Sequence, residues 1–191
     1  MTETLKRPLV LAALAVVVLA VAAVLYVNRA SVHADHPPTV LSALTPVKKP
    51  EAAPAVAFTD SAGKPHMMSE FKGKYVLLNL WATWCGPCVK ELPALAKLKS
   101  EVPKGFTVVA VNVGRSSEAE TKDFLAAHSA SALTAYTDHN LAMMRTFHVY
   151  GLPVSLLIDP KGNVVARADG PAPWDAPTSV DYFKALARER S

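Results

Sequence analysis

The sequence predicts an α/β domain, a mixed central sheet covered by helices, preceded by a single membrane-spanning helix. Three observations carry this reading. Residues 9–27 form an uninterrupted apolar run. From residue 54 onward, short apolar runs alternate with segments of helical period. The chain then closes with two apolar runs around a Pro-Lys-Gly-Asn turn and a last helical segment, which fits a sheet of mixed direction.

The apolar run is nineteen residues long, and at about 1.5 Å per residue it nearly spans the ~30 Å hydrocarbon core of a bilayer. Lys6 and Arg7 precede it, so the positive-inside rule keeps residues 1–8 cytoplasmic and sends the rest of the chain outward. Arg29 blunts this asymmetry slightly, and Tyr26 sits near the outer end, where amphipathic rings favour the interface. A cleaved signal peptide is the rival reading. Its apolar stretch is usually about 7–15 residues, shorter than this run, although Val32-His33-Ala34 offers a passable cleavage site. A soluble buried helix fits poorly, because no polar face is left for water.

Residues 28–53 read as a linker, since Pro37, Pro38, Pro46 and Pro50 interrupt any strand or helix period. Fully extended, roughly 25 residues at about 3.1 Å each reach roughly 80 Å, enough to tether a domain that visits partners above a membrane. His33 and His36 lie in this tether without further ligands nearby and read as solvated side chains.

The domain is then expected over residues 54–191. A short strand at 56–58 ends in a turn at 60–64, and 67–71 reads as one helical turn. Residues 75–80 form the central strand, 85–99 the first long helix and 106–113 the next apolar strand. Ser117 and Glu120 have capping-box spacing at the head of a helix over 117–127. A short strand at 135–137, a helix at 141–147, a hairpin of 154–159 with 164–168 and a helix at 178–190 complete the order. At 191 residues with a formal net charge of +4, and without a Lys/Arg cluster interleaved with aromatics, the chain is not read as a nucleic-acid binder.

The chemistry concentrates at Trp81-Ala82-Thr83-Trp84-Cys85-Gly86-Pro87-Cys88, which contains the only two cysteines. The pair falls at a strand-to-helix junction, with Cys85 at the helix N-terminus and Cys88 one turn inward on the same face. Unpaired N–H groups and the positive end of the helix dipole stabilise a thiolate there, and only the thiolate attacks a disulfide. Gly86 permits close approach of a partner's backbone, and Pro87 fixes φ where no N–H partner is needed. Two blander readings compete. A structural zinc site needs about four N/S ligands and this motif supplies two; a static disulfide across so short a loop removes little unfolded-chain entropy.

Residues 81–93, WATWCGPCVKELP, resemble the active site of the thioredoxin superfamily, and more narrowly the membrane-anchored TlpA/ResA/CcmG-like thiol-disulfide oxidoreductases. Val149-Tyr150-Gly151-Leu152-Pro153 is similar to the family's cis-proline loop, and Gly170-Pro171-Ala172-Pro173-Trp174 to a segment of TlpA-type members. The resemblance implies a thioredoxin fold with an N-terminal extension and a central insert around 115–137. It implies Cys85 as nucleophile, Cys88 as resolving thiol, and a reversible Cys85–Cys88 disulfide. A cis Pro153 holds the Leu152 backbone beside the dithiol, and docking involves Trp84, Gly86, Pro87, Leu152 and Pro153.

Thioredoxins usually place a buried Asp on the central strand as proton acceptor, but Asn79 stands there and cannot titrate. Glu91, one turn after Cys88, matches the glutamate of TlpA/ResA-like proteins and is the substitute; the alternative is a solvated Glu91 paired with a lysine. Trp81 either packs beneath the site or fills core, and Trp174 either borders the docking groove or packs. Pro93 lies within the first helix as it does in the family. His148, Met143 and Met144 read as packing residues. The Cys-x-x-x-Cys plus His set of copper-delivery relatives is absent, so neither a metal nor a cofactor is expected.

The implied partners are protein thiols and disulfides, such as apocytochrome c or copper-site assembly factors, with a membrane thiol-redox relay as electron donor. The implied location is a bacterial inner membrane, single-pass, with the catalytic domain periplasmic. A disulfide oxidase or isomerase, and a non-enzymatic metallochaperone-like docking module, are the alternatives.

Overall fold

A computed structural model describes residues 15–21, 37–102 and 104–188. The chain divides into two units, Met1–Asp35 and His36–Ser191. In the first, residues 15–21 are helical (α1), and their valine and leucine side chains are exposed. Among the described residues no helix is long and apolar enough to cross a membrane. The rest of the predicted 9–27 span, its flank at 1–8, and His33 and His36 lie outside the described residues.

The second unit is built on the apolar strands β4 (Tyr75–Trp81) and β5 (Phe106–Asn112), which run parallel from Tyr75↔Phe106 to Trp81↔Asn112. Both are buried almost end to end, as strands covered on both faces must be. Alternation along β4 decides which face each side chain serves. Leu77 and Trp81 join one cluster with Leu92, Leu95 and Leu98 of the long helix α2 (Gly86–Glu101). Val76, Leu78 and Leu80 join a second cluster with Val109, Val111, Met143 and Phe147. Asn79 shares the parity of Leu77 and Trp81 and so faces α2.

Six further strands extend this pair: β1 (Thr45–Ala52), β2 (Ala57–Thr59), β3 (Pro65–Met67), β6 (Tyr136–Thr137) and the hairpin of β7 (Val154–Ile158) with β8 (Asn163–Asp169). The sheet order is β1-β8-β7-β4-β5-β6-β2-β3. β7 runs antiparallel to β4 with Val154 opposite Leu80, so the segment entering β7 lies at the end of β4 that leads to the cysteines. Helices α3 (Glu118–Ala127), α4 (Ala142–Thr146) and α5 (Pro177–Arg188) follow their predicted places within a few residues. The α3 cap forms as its spacing requires, with Ser117 Oγ accepting from Glu120 N at 3.3 Å and the Glu120 carboxylate accepting from Ser117 N at 2.7 Å. In α5 the apolar face, with Val180, Phe183 and Leu186 buried, packs into the α2-side cluster.

The predicted linker at 28–53 is corrected over its described part. Leu41, in a 3-10 turn at Thr39–Leu41, and Leu44 are fully buried in the α2-side cluster. β1 pairs antiparallel with β8 through Thr45↔Arg167 and Ala52↔Asn163, with an irregularity between Pro46 and Glu51. Prolines are tolerated there because β1 is an edge strand with one neighbour. Its side chains are mostly exposed, so no apolar alternation marks it in the sequence. The domain boundary therefore moves from residue 54 to about residue 37. β3, also unforeseen, occupies the opposite edge, with the Met68–Phe71 turn following it.

If residues 37–44 belong to the core, Leu41→Ala lowers the unfolding free energy of the full chain by about 2–5 kcal/mol in a denaturant titration. A true linker residue leaves it within about 0.5 kcal/mol.

Candidate active site

Cys85 and Cys88 are joined in a disulfide with their Cα atoms 5.3 Å apart. The chain leaves β4 and turns through a Cys85 N–H to Ala82 carbonyl bond of 3.1 Å. Cys85 then serves as N-cap of α2: its backbone is extended (φ −88°, ψ 97°) and its Sγ accepts from Cys88 N at 3.3 Å. The first helical bond runs from Val89 N to Cys85 O at 3.0 Å. Sulfur thus occupies the place an oxygen cap usually takes, where free N–H groups and the helix dipole favour negative charge. Cys85 retains 6% exposure and Cys88 none, so the difference between the two sulfurs is a narrow opening rather than a fully exposed first sulfur.

Around that opening Trp84 is 73% exposed, while Trp81 is fully buried. The structure thus assigns Trp81 to the core beneath the site, beside Phe124. A Cβ placed on Gly86 meets nothing within 4 Å, which leaves the space above the dithiol open. The Leu152–Pro153 bond is cis. Leu152 is half-buried against both apolar clusters, and Gly170 N donates to the Pro153 carbonyl at 2.9 Å. The β4–β7 register brings this proline to the cysteine end of β4, which unites residues more than sixty positions apart in sequence.

Glu91 is 4% exposed, so the solvated alternative does not hold. Its Oε1 accepts from Asn79 Nδ2 at 2.8 Å, and its Oε2 accepts from Trp174 Nε1 at 2.9 Å and from Ala172 N at 3.3 Å. The second Asn79 hydrogen goes to Ser155 Oγ on β7 at 2.9 Å. Asn79, which cannot titrate, therefore anchors the Glu91 carboxylate. Burial pushes the Glu91 carboxyl above the ordinary range, while the bonds from Trp174, Asn79 and Ala172 pull it back.

Trp174, read from sequence as groove border or packing, is fully buried against Phe183 and is also a ligand of the carboxylate. Sequence reasoning missed this pairing and the roles of Ser155 and Ala172; three buried polar groups at such separations leave no local signal. A groove of about 480 Å³ runs between α2 and the 171–175 segment, lined by Pro87, Lys90, Glu91, Pro171, Pro173 and Asp175 among others. Met143 is core, whereas His148 is exposed and does not pack as expected. Among the described residues no group of three His, Cys, Asp or Glu side chains is placed to hold a metal.

A dithiol that closes at the end of a helix, set on this sheet, defines the class of thioredoxin-type thiol-disulfide oxidoreductases. The redoxin family matches residues 48–186, and the chain belongs to that family, within the ResA/CcmG-like branch of the thioredoxin superfamily. It is 37% identical over 119 residues to the thiol-disulfide oxidoreductase ResA of Bacillus subtilis, covering 62% of this chain and 65% of that protein. The ResA of Geobacillus kaustophilus is 34% identical over 121 residues, covering 63% of this chain and 68% of its own. Among solved structures, a thiol:disulfide interchange protein DsbE of Chlorobium tepidum superposes with a TM-score of 0.63 at 32% identity, covering 73% of this chain and 99% of that one. The chain thus spans about two thirds of the length of its ResA relatives.

The raised Glu91 carboxyl has a stability consequence. A carboxyl raised on folding favours the fold while protonated, and that contribution is lost as pH rises from about 4.5 through its folded value. Glu91→Gln removes this loss. Melting temperatures across pH 4 to 8 are expected to show the variant gaining on the wild type as pH rises; a constant difference contradicts a raised carboxyl.

Proposed function

We propose that this protein is a membrane-anchored thiol-disulfide oxidoreductase that reduces disulfides in partner proteins on the outer side of a bacterial inner membrane. The observation that carries the chemistry is the Cys85–Cys88 disulfide at the N-terminus of α2, with the buried Glu91 carboxyl one turn beyond Cys88. The reduced protein starts the cycle. The Cys85 thiolate attacks one sulfur of the partner's disulfide; that bond breaks, and the partner's other sulfur leaves as thiolate and takes a proton. Cys88 gives its proton to the Glu91 carboxylate and attacks Cys85 Sγ. The Cys85–partner bond breaks, the second partner sulfur leaves, and the pair is closed. Two electrons have passed from this protein to the partner.

The Gly86-Pro87 dipeptide favours the reductive direction, as it does in thioredoxin. The open space over Gly86, the exposed Trp84 and the cis Leu152–Pro153 backbone leading into β7 suit an extended partner segment lying across the dithiol. The cysteines of apocytochrome c or of copper-site assembly factors are the substrates we favour, on the TlpA/ResA/CcmG-like resemblance, with a membrane thiol-redox relay resupplying electrons. The anchoring rests on the nineteen-residue apolar run behind Lys6 and Arg7, part of which is the exposed apolar α1.

Direction is tested by equilibrating the protein with a thiol redox buffer. The expected potential lies near about −270 mV, the thioredoxin value, and one near about −120 mV makes the protein an oxidase instead. Substrate class is tested with Cys88→Ser, which stalls the mixed disulfide: cysteine-bearing partners are expected attached through Cys85 and released by reductant. A docking module that needs no turnover keeps its full function in Cys88→Ser.

A further inference from the structure

The five residues Gly170–Trp174 hold two parts of the site at once. Gly170, with φ +107°, turns the chain off β8 and donates its N–H to the Pro153 carbonyl. Four residues later the indole of Trp174 reaches Glu91, 83 positions earlier in sequence. Trp174 is wholly buried, so its N–H has no water to fall back on, and the carboxylate oxygen is its partner. Of the three donors on Glu91, Asn79 also serves Ser155 and the Ala172 N–H is the longest at 3.3 Å, whereas the indole gives its single hydrogen to Oε2 at 2.9 Å.

We propose that Trp174 is a positioning residue for the dithiol chemistry: its indole N–H orients the Glu91 carboxylate and favours the charged form, which is the form able to take the proton of Cys88. This rests on the proton-transfer role proposed for Glu91 above. Removed from water, a carboxylate reverts to the neutral acid unless donors replace the lost hydration. Trp174 supplies the donor from the closing segment of the domain, and the segment tied to the cis-proline thereby also governs the acid–base group.

The groups that face Glu91 are Asn79 from β4 and the 172–174 segment, with Ser155 of β7 behind Asn79, and Cys88 lies three residues before it on the same helix. The charged side chains lining the groove beside it are Lys90 and Asp175, and Asp175 is paired with Lys97 at 3.4 Å. The proton moves from Cys88 sulfur to a Glu91 oxygen, giving a thiolate and a carboxylic acid. It leaves through the groove to water once the Cys85–Cys88 bond has formed.

The test compares full-length wild type with Trp174→Phe, which keeps the ring and loses the donor. The Glu91 titration is followed by carbon-13 NMR of the labelled carboxyl and assigned with Glu91→Gln. Losing a hydrogen bond to a charged group is expected to raise the midpoint by about one to two pH units. The pH profile of partner-disulfide reduction is expected to move with it. Trp81→Phe serves as control, since the buried Trp81 indole nitrogen has no hydrogen-bond partner among the described residues. It lowers stability and leaves the Glu91 midpoint in place.

If Trp174→Phe fails to fold, the wild type is grown with a tryptophan analogue carrying sulfur for the ring N–H. Among the described residues the Trp81 indole has no hydrogen bond to lose, and Trp84 is exposed, so the titration again reports Trp174. An unmoved Glu91 midpoint overturns the proposal. A raised midpoint with a reduction profile indifferent to both variants upholds the control of Glu91 by Trp174 and overturns the proton-transfer role it was built upon.

Discussion

A carboxylate removed from water must be given donors, and in this protein that requirement ties the site together. Glu91 enters the interior because α2 lies flat on the sheet with Leu92, Leu95 and Leu98 beneath it. Leaving such a charge unsatisfied costs more than any single packing contact returns. Its donors come from the central strand through Asn79 and from the chain's closing segment through Ala172 and Trp174. Asn79 in turn reaches Ser155 on β7. One acidic side chain therefore ties α2, β4, β7 and the 170–174 segment into a fixed arrangement around the cysteines.

The dithiol depends on that arrangement in a second way. β4 and β5 run parallel and β7 antiparallel, so the cysteine loop and the cis Leu152–Pro153 bond emerge at one end of the sheet. Cys85 caps α2 with sulfur, Cys88 is sealed one turn inside, and the groove beside Glu91 reaches the same helix. Cys85, Cys88, the Leu152–Pro153 backbone and Glu91 are thus carried by elements whose relative positions are fixed by buried contacts, which suits the in-line sulfur geometry of disulfide exchange.

Where the chemistry is local, the sequence was legible. Cys85 and Cys88 at a strand-to-helix junction, the Ser117–Glu120 capping box and the hairpin read at 154–168 each rest on interactions within a few residues, and each appears within a residue or so of its reading. The wall of the site was only half legible: the position of Glu91 follows from helical spacing, but its burial depends on a tryptophan 83 residues away. The 28–53 segment misled for another reason. Pro46 and Pro50 are breakers in an interior strand, yet β1 is an edge strand whose exposed side chains carry no alternation. Leu41 and Leu44 stand in a short Val-Leu-Ser-Ala-Leu stretch too brief to show a period, and nothing local says that a core awaits them.

The most direct test of this account is the alkylation of the reduced protein by limiting iodoacetamide at neutral pH, with the labelled cysteine located by mass spectrometry. The account predicts label on Cys85, acquired faster than by free cysteine because the α2 N-terminus stabilises its thiolate, with Cys88 protected. Label shared equally between the two sulfurs, or a Cys85 rate no greater than that of free cysteine, contradicts it.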